Sequence, residues 1–245
     1  MSKFEGFITR ALFLFRACTT TLTLVVCVGF EVAQGPNPET KSDPFDQKVA
    51  LVELREETIF DAIGRLNQSY DVAISIEGIL PNQGTIANPK FQAKIENRTV
   101  SEVLTWLCAL DGRYMWVRDG TMANLFPKTL HNDSHYFFNR RLSVLKFEQV
   151  QQLDDAVLAV VHQLDDPNEH IVFLGIGGTQ SFAQPWTAKF HDITVREALN
   201  RIAEHLGPTY GWQIGGTTKA RIIMFHYKLG AHHFSLPPPD NGPTS

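Results

Sequence analysis

Two stretches of the chain alternate apolar and polar residues. Phe91, Ala93 and Ile95 interleave with Gln92, Lys94 and Glu96, and Trp186, Ala188 and Phe190 interleave with Thr187, Lys189 and His191. A period of two marks a strand buried on one side. Each stretch runs into a helix signal. Thr99 with Glu102, and Thr194 with Glu197, have capping-box spacing: the threonine oxygen accepts an orphan N–H and the glutamate reaches back to the cap residue. Behind the first cap, Val103, Leu104, Leu107 and Cys108 form an apolar stripe, and behind the second, Ala198, Leu199, Ile202 and Ala203 do. Gly112 and Gly207 suit helix termination. Tyr114–Arg118 then reads as a strand turning at Asp119-Gly120, and Tyr210–Ile214 as one turning at Gly215-Gly216.

These stretches are one pattern written twice. At an offset of 95, Ala93-Lys94, Thr99-Val100-x-Glu102 and Leu104 fall on Ala188-Lys189, Thr194-Val195-x-Glu197 and Leu199. After a slip of one residue, Tyr114-x-Trp116 falls on Tyr210-x-Trp212. The preceding segments correspond more loosely. Val49–Leu54 is β-prone, Ile59, Ile63, Leu66 and Tyr70 recur at helical spacing, and Val72, Ile74 and Ile76 alternate. In the second copy Leu142–Phe147 is the opening strand, Val150, Leu153, Val157 and Val160 the helix stripe, and Ile171–Ile176 a buried strand. The pattern predicts an α+β fold of two tandem β-α-β-β-α-β-β units, residues 49–127 and 141–228, each with two helices on one face of a small mixed sheet. Residues 36–48, with Pro36, Pro38 and Pro44, read as a flexible spacer, 128–140 as a linker, and 229–245 as a disordered tail.

The N-terminus has the layout of a targeting segment. Lys3 and Arg10 precede the uncharged run Ala17–Phe30, which fits a signal-peptide core and is short for a spanning helix. Ala33-Gln34-Gly35 offers small residues for cleavage, although Pro36 follows; Cys27 has the outline of a lipoprotein box with a bulky Val26 before it. Residues 1–35 are therefore expected to be a signal peptide or an N-terminal membrane anchor. With Arg16 snorkelling, residues 11–30 are the tether of the anchored alternative. The expected location is periplasmic or secreted, or anchored at the inner membrane. Cys18 and Cys27 lie in this segment, so Cys108 alone remains and no intramolecular disulfide is expected in the exported part.

Composition narrows the function. The chain has 245 residues, 43% of them hydrophobic, enough for a packed core, and a formal charge of −4. Loss of residues 1–35 removes Lys3, Arg10 and Arg16 but only Glu5 and Glu31, leaving the rest more acidic. Phosphate backbones demand clustered Lys and Arg, so no nucleic-acid partner is expected.

The first unit resembles the secretin and TonB short N-terminal (STN) domain family: an opening strand and amphipathic helix at Val49–Asn67, a strand pair at Val72–Ile95, a helix introduced by Thr-x-x-Glu-x-Leu at Thr99–Leu104, and a final hairpin at Gly112–Phe126. The likeness covers residues 49–127 and, more faintly, 142–227. It implies a periplasmic module that docks onto other proteins and brings no catalytic residues. Such domains usually precede a barrel or secretin pore, and nothing here resembles either, so transport by this chain alone is not expected.

The candidate reactive groups have plainer readings. Cys108 matches Ala203 on the core stripe and reads as a small buried hydrophobe rather than a nucleophile. His131 and His135 are four apart but sit in a polar linker, His232-His233 lies in the tail, and His191 matches Glu96 on an outward face. Gly175-Ile176-Gly177-Gly178-Thr179 lacks the end of a phosphate loop. Asp154-Asp155 reads as the solvent face of a helix, and Asp165-Asp166 as a turn before Pro167. Asn67, Asn97 and Asn132 head glycosylation sequons, relevant only in a eukaryotic secretory pathway. No catalytic residue, metal or cofactor is expected. Tyr114, Trp116, Tyr210 and Trp212 read first as core packing against the helices; the alternative, an exposed aromatic docking face, makes them the partner-binding candidates. The expected function is that of an exported, non-enzymatic protein–protein interaction module of the envelope, as subunit or accessory of a secretion or outer-membrane transport or signalling assembly, with an unidentified envelope protein as partner. The alternative is an exported small-ligand-binding protein or hydrolase with a site between the units.

Overall fold

Strand and helix signals resolve, in a computed structural model, into β1 (Lys48–Glu57), α1 (Ile59–Ser69), β2 (Ala73–Glu77), β3 (Phe91–Thr99), α2 (Val100–Leu110), β4 (Tyr114–Asp119) and β5 (Met122–Pro127). After them come β6 (Arg141–Gln152), α3 (Leu153–Val161), β7 (His170–Phe173), β8 (Ser181–Thr194), α4 (Val195–Leu206), β9 (Tyr210–Gly216) and β10 (Ala220–Tyr227). The class is α+β. The structure describes residues 43–78, 88–164, 170–173, 181–216 and 220–228, and these belong to one compact unit. The leader 1–35, most of the spacer, Gly175–Thr179, Asp165-Asp166, His232-His233 and the tail lie outside the described residues.

Local chemistry starts the helices where expected. Thr99 accepts from the Glu102 N–H while Glu102 accepts from the Thr99 N–H, and Thr194 and Glu197 do the same. A third box, Thr58 with Asp61, opens α1. Each such cap stabilises by about 1 kcal/mol. Gly207 ends α4 at φ 150°. Gly112 does not have a left-handed φ; α2 ends at Asp111, whose N–H bonds to the Leu107 carbonyl. Val150, expected on the α3 stripe, is in β6 opposite Trp186.

The strands do not divide into one small mixed sheet per unit. β1 pairs antiparallel with β3, and β6 with β8, as two separate ribbons. The remaining strands form one six-stranded sheet in the order β4-β5-β2-β9-β10-β7. All five residues of β2 are buried, so this strand is covered on both faces. The two faces belong to different cores. Val72, Ile74, Ile76, Ala123 and Leu125 pack with the apolar stripes of α1 and α2. Ala73 and Met122, on the other side, join the core that holds α3, α4, Trp212 and Phe225. The helix pairs of the two halves therefore cover opposite faces of one sheet.

Other expectations shift for identifiable reasons. The first hairpin turns one residue later, at Gly120-Thr121, with Gly120 at φ 59°, because Asp119 still pairs with Met122. Gly215 and Gly216 are not turn residues: they pair with Ile222 and Arg221 inside the β9–β10 ladder. The supposed linker 128–140 contains 3₁₀ turns at Lys128–Leu130 and Phe137–Asn139, and buries Phe137 and Phe138. The end of the supposed spacer does likewise, with a 3₁₀ turn at Pro44–Asp46 and a buried Phe45.

Several backbone and side-chain details recur at matching places. Left-handed φ occurs at Glu56 and Gln149, and at Asn97 and Asp192. Phe45 stacks on Trp116 as Phe138 stacks on Trp212. The Val100 N–H bonds to the Gln47 carbonyl as the Val195 N–H bonds to that of Arg140.

The seam between halves is the parallel contact of β2 and β9, where Ile76 lies beside Gln213 and Glu77 beside Ile214. Gly211 makes the close approach possible. A Cβ there would lie 2.0 Å from the Ile74 carbonyl oxygen and 2.8 Å from the His226 ring. Gly211→Ala should therefore destabilise by about 1–3 kcal/mol, the usual range for overpacking, read as a lowered urea midpoint at unchanged slope.

Candidate functional site

Where the halves meet, α4 reaches across the sheet. Its N-terminal cap fixes Arg196 on the second helical residue, beside the end of β2. There the Arg196 guanidinium makes a fork to Glu77: Nη2 donates to Oε2 at 2.9 Å and Nε to Oε1. Nη1 donates to Asn139 Oδ1 at 2.7 Å, and the guanidinium lies 4.5 Å from the centre of the Phe126 ring. Phe126 stacks in turn on His131, 5.4 Å away. Glu77 is 1% exposed. Burial pushes its carboxyl up, with Arg196 and then the Tyr136 hydroxyl pulling against that shift. Burial also opposes the Arg196 charge, but the Glu77 hydrogen bonds and charge outweigh it and hold the guanidinium above its ordinary value.

One and two turns further along α4, a second polar cluster grips the β4–β5 hairpin. Asn200 Nδ2 donates to Asp119 Oδ2 at 2.8 Å, while its Oδ1 accepts from the Trp212 indole N–H at 2.8 Å. Arg201 Nη2 donates to Asp119 Oδ1 at 3.1 Å, and Nη1 to Glu204 Oε2 at 2.6 Å. The joint is thus a set of paired charges and amides between helix and sheet. Its donors and acceptors are used in holding the halves together.

The sequence-based candidates are not on this joint as a docking face. Tyr114 is 2% exposed and meets the Phe60 ring edge-on at 5.2 Å. Trp212 is 0% exposed, because it carries the Asn200 bond and the Phe138 stack. Trp116 is half-buried against Phe45 and donates to Thr105 Oγ1 at 3.0 Å. Tyr210 is half-buried, 5.4 Å from Tyr227. Packing therefore takes the two residues that would have anchored such a face. The exposed large hydrophobics among the described residues are Leu51, Val117, Leu158 and Tyr227.

Cys108 is half-buried, and burial followed by the nearby Asp111 charge pushes its thiol up to about 12, far from a thiolate nucleophile. His131, His135 and His191 are exposed. Asp154 and Asp155 occupy the first turn of α3, where the helix dipole favours negative charge. Among the described residues, no three of His, Cys, Asp and Glu converge as a metal site would require. Asn67 is buried, its amide donating to the Val72 carbonyl at 2.5 Å, so its sequon is not presented. The sequence reading missed Glu77, Asp119, Arg196, Asn200 and Arg201. The available signal was divergence inside a matched helix: Arg196, Asn200 and Arg201 stand where the first copy has Ser101, Thr105 and Trp106.

Compared with known proteins, the chain matches no family model, no curated protein and no solved structure.

Removing one partner of a buried ion pair leaves the other unsolvated, at a cost of about 3–5 kcal/mol, whereas apolar replacement of both is close to neutral. Arg196→Met should fall in that range in urea denaturation, and Glu77→Leu added to it should recover most of the loss.

His205 offers a pH test of the second half. Its ring stacks on Trp186 at 4.4 Å and meets the edge of Phe182 at 4.8 Å. The residue is exposed overall, but partial desolvation of the ring holds its pKa below the usual 6.5, with a backbone hydrogen bond at Gln184 opposing. A depressed histidine pKa means that the unfolded chain takes the proton first. Stability from this group is complete above 6.5 and is lost as pH falls through the lower, folded-state value. The urea midpoint should drop between pH 8 and 5.5 by more in the wild type than in His205→Gln; equal drops would exclude the effect.

Proposed function

We propose that the protein is an exported, non-enzymatic protein–protein interaction module of the bacterial envelope, built from two copies of a β-α-β-β-α-β-β unit similar to the secretin and TonB short N-terminal domain. On this reading it serves as a subunit or accessory of a secretion or outer-membrane transport or signalling assembly. The repeated element order supports the duplication, as do the paired caps at Thr99 and Thr194, the paired left-handed residues, and the Phe45–Trp116 and Phe138–Trp212 stacks.

One observation carries the interaction reading. The polar groups between the halves are used by the joint, while apolar side chains are left on the outside of the ribbons and helices. Leu51 on β1 is 51% exposed and Leu158 on α3 is 46% exposed. Among the described residues, the β1–β3 and β6–β8 ribbons each stand as two strands with outer edges, a geometry that admits strand addition. A ligand or hydrolytic site between the halves has less support, since that space holds the Arg196–Glu77 pair and its aromatic neighbours. Export rests on the residue pattern of 1–35. No described helix is long and apolar enough to cross a membrane.

The whole chain, tagged at its C-terminus and recovered from envelope fractions after cross-linking, should carry a defined protein adduct. Leu51→Arg should abolish the adduct without lowering the thermal midpoint. Recovery of the chain from the cytoplasm alone, or an adduct indifferent to Leu51 and Leu158 substitutions, would overturn the reading.

A further inference from the structure

Matching positions of the two halves end in different environments. Strand register equates Met122, Asn124 and Phe126 on β5 with Ile222, Met224 and His226 on β10, because Asp119 pairs with Met122 as Gly215 pairs with Ile222. The three on β5 are at most 2% exposed, on the sheet face that α4 crosses. The three on β10 are only half-buried. The helices show the same contrast. Asn200 is buried at the joint, but its counterpart Thr105, which likewise accepts the indole N–H of its own half, is exposed. On the strands, Gln213 is buried beside β2, whereas its counterpart Val117 on β4 is 40% exposed.

Sheet order supplies the geometry. β2 runs parallel to β5, and β7 runs parallel to β10, so β7 stands to the second half as β2 stands to the first. β4 likewise stands to the first half as β9 stands to the second. The outer edge of β2 meets β9; among the described residues, β7 and β4 are the two ends of the sheet. One molecule therefore contains a complete joint in its middle and the two complementary parts of the same joint at opposite ends.

We propose that a second copy of this chain completes them: the β7 edge and the β10 face of one copy take the β4 edge and the α2 face of the next, repeating the parallel seam of β2 and β9. The chemistry is matched. Within the chain Asp119 pairs with Arg201; at the open ends these positions are Gly215 and Trp106, so acid and base are replaced together. A groove of ≈370 Å³ lies on α2 where the intrachain joint has Asn200, Arg201 and Glu204; Ile95, Thr105, Trp106 and Ala109 line it together with Ser101, Arg98 and Glu102. It faces a neighbour with Ile222 and Met224 to offer. The surfaces differ from one another, so the contact is heterologous and generates an open string or a closed ring. This inference rests on the duplicated-unit reading above.

The test is sedimentation velocity of the whole chain in density-matched mild detergent, which keeps the apolar N-terminal segment from associating. Wild-type mass should rise with concentration. Val117→Lys and Met224→Lys, one at each end, should each sediment as single chains with unchanged thermal midpoints. An equimolar mixture of the two should give twice the single-chain mass and no more, since one intact end remains on each. Should Val117→Lys fail to fold, Thr105→Arg on the α2 groove takes its place. A wild type that stays single at every soluble concentration overturns the proposal, as does association that both variants retain, or a mixture that stays single. A wild type that does not self-associate but still forms the Leu51-dependent adduct would remove this inference and leave the envelope-module reading standing.

Discussion

The two cores are tied across their shared sheet by the Arg196 guanidinium, together with the β2–β9 seam and the grip of α4 on Asp119. Each half has its own apolar cluster, with α1 and α2 on one face of the sheet and α3 and α4 on the other. Apolar burial alone would tolerate many relative placements of two such layers. The fork from Arg196 to Glu77, with Asn139 and Phe126 around it, links α4 of the second half to β2 of the first. Two ions brought out of water give back little net stability as a pair, but removing either alone leaves the other unsolvated. The narrow seam at Gly211 then follows, because strands held in that register leave no room for a side chain between them.

On the duplicated-unit reading proposed above, the two halves put one pattern to different uses. The cap, the indole hydrogen bond and the left-handed residues stay alike, since they specify the fold of one unit. The outer face of the second helix is where the copies part. In the second half it carries Arg196, Asn200, Arg201 and Glu204, all engaged; in the first it carries Ser101, Thr105, Trp106 and Ala109, which line a groove or face water. Ser101 is partly employed, donating to the Phe45 carbonyl and so tying down the entering chain.

Period-two and helical spacing made most elements legible from sequence, because each is set by a local rule: Thr99 and Thr194 cap whatever follows them, and Phe91, Ala93 and Ile95 must share a side. Strand partnership was not legible. Val72, Ile74 and Ile76 alternate with Ala73, Ser75 and Glu77, which reads as one wet face; a neighbouring half covers that face, and no local pattern announces it. Glycines misled for the same reason. Gly215-Gly216 has turn chemistry, yet the ladder continues through it. The proline-bearing segment before β1 and the polar stretch before β6 both looked unstructured, although Phe45 and Phe138 are the aromatic plugs under Trp116 and Trp212. Aromatics in a polar run, Phe45 in the first and Tyr136-Phe137-Phe138 in the second, were the mark of each.

The parallel placement of β2 against β9 has a consequence for the order in which the molecule is made. Residues 76 and 213 are neighbours in space but far apart along the chain, so the sheet cannot close until nearly all of the polypeptide is present. Until α4 emerges, Met122, Asn124 and Phe126 have no cover and Glu77 has no counter-charge. A nascent first half would be a sticky, half-finished surface during synthesis. On the export proposed above, that delay is useful: it postpones the locked state and keeps the polypeptide suited to threading through a translocation channel.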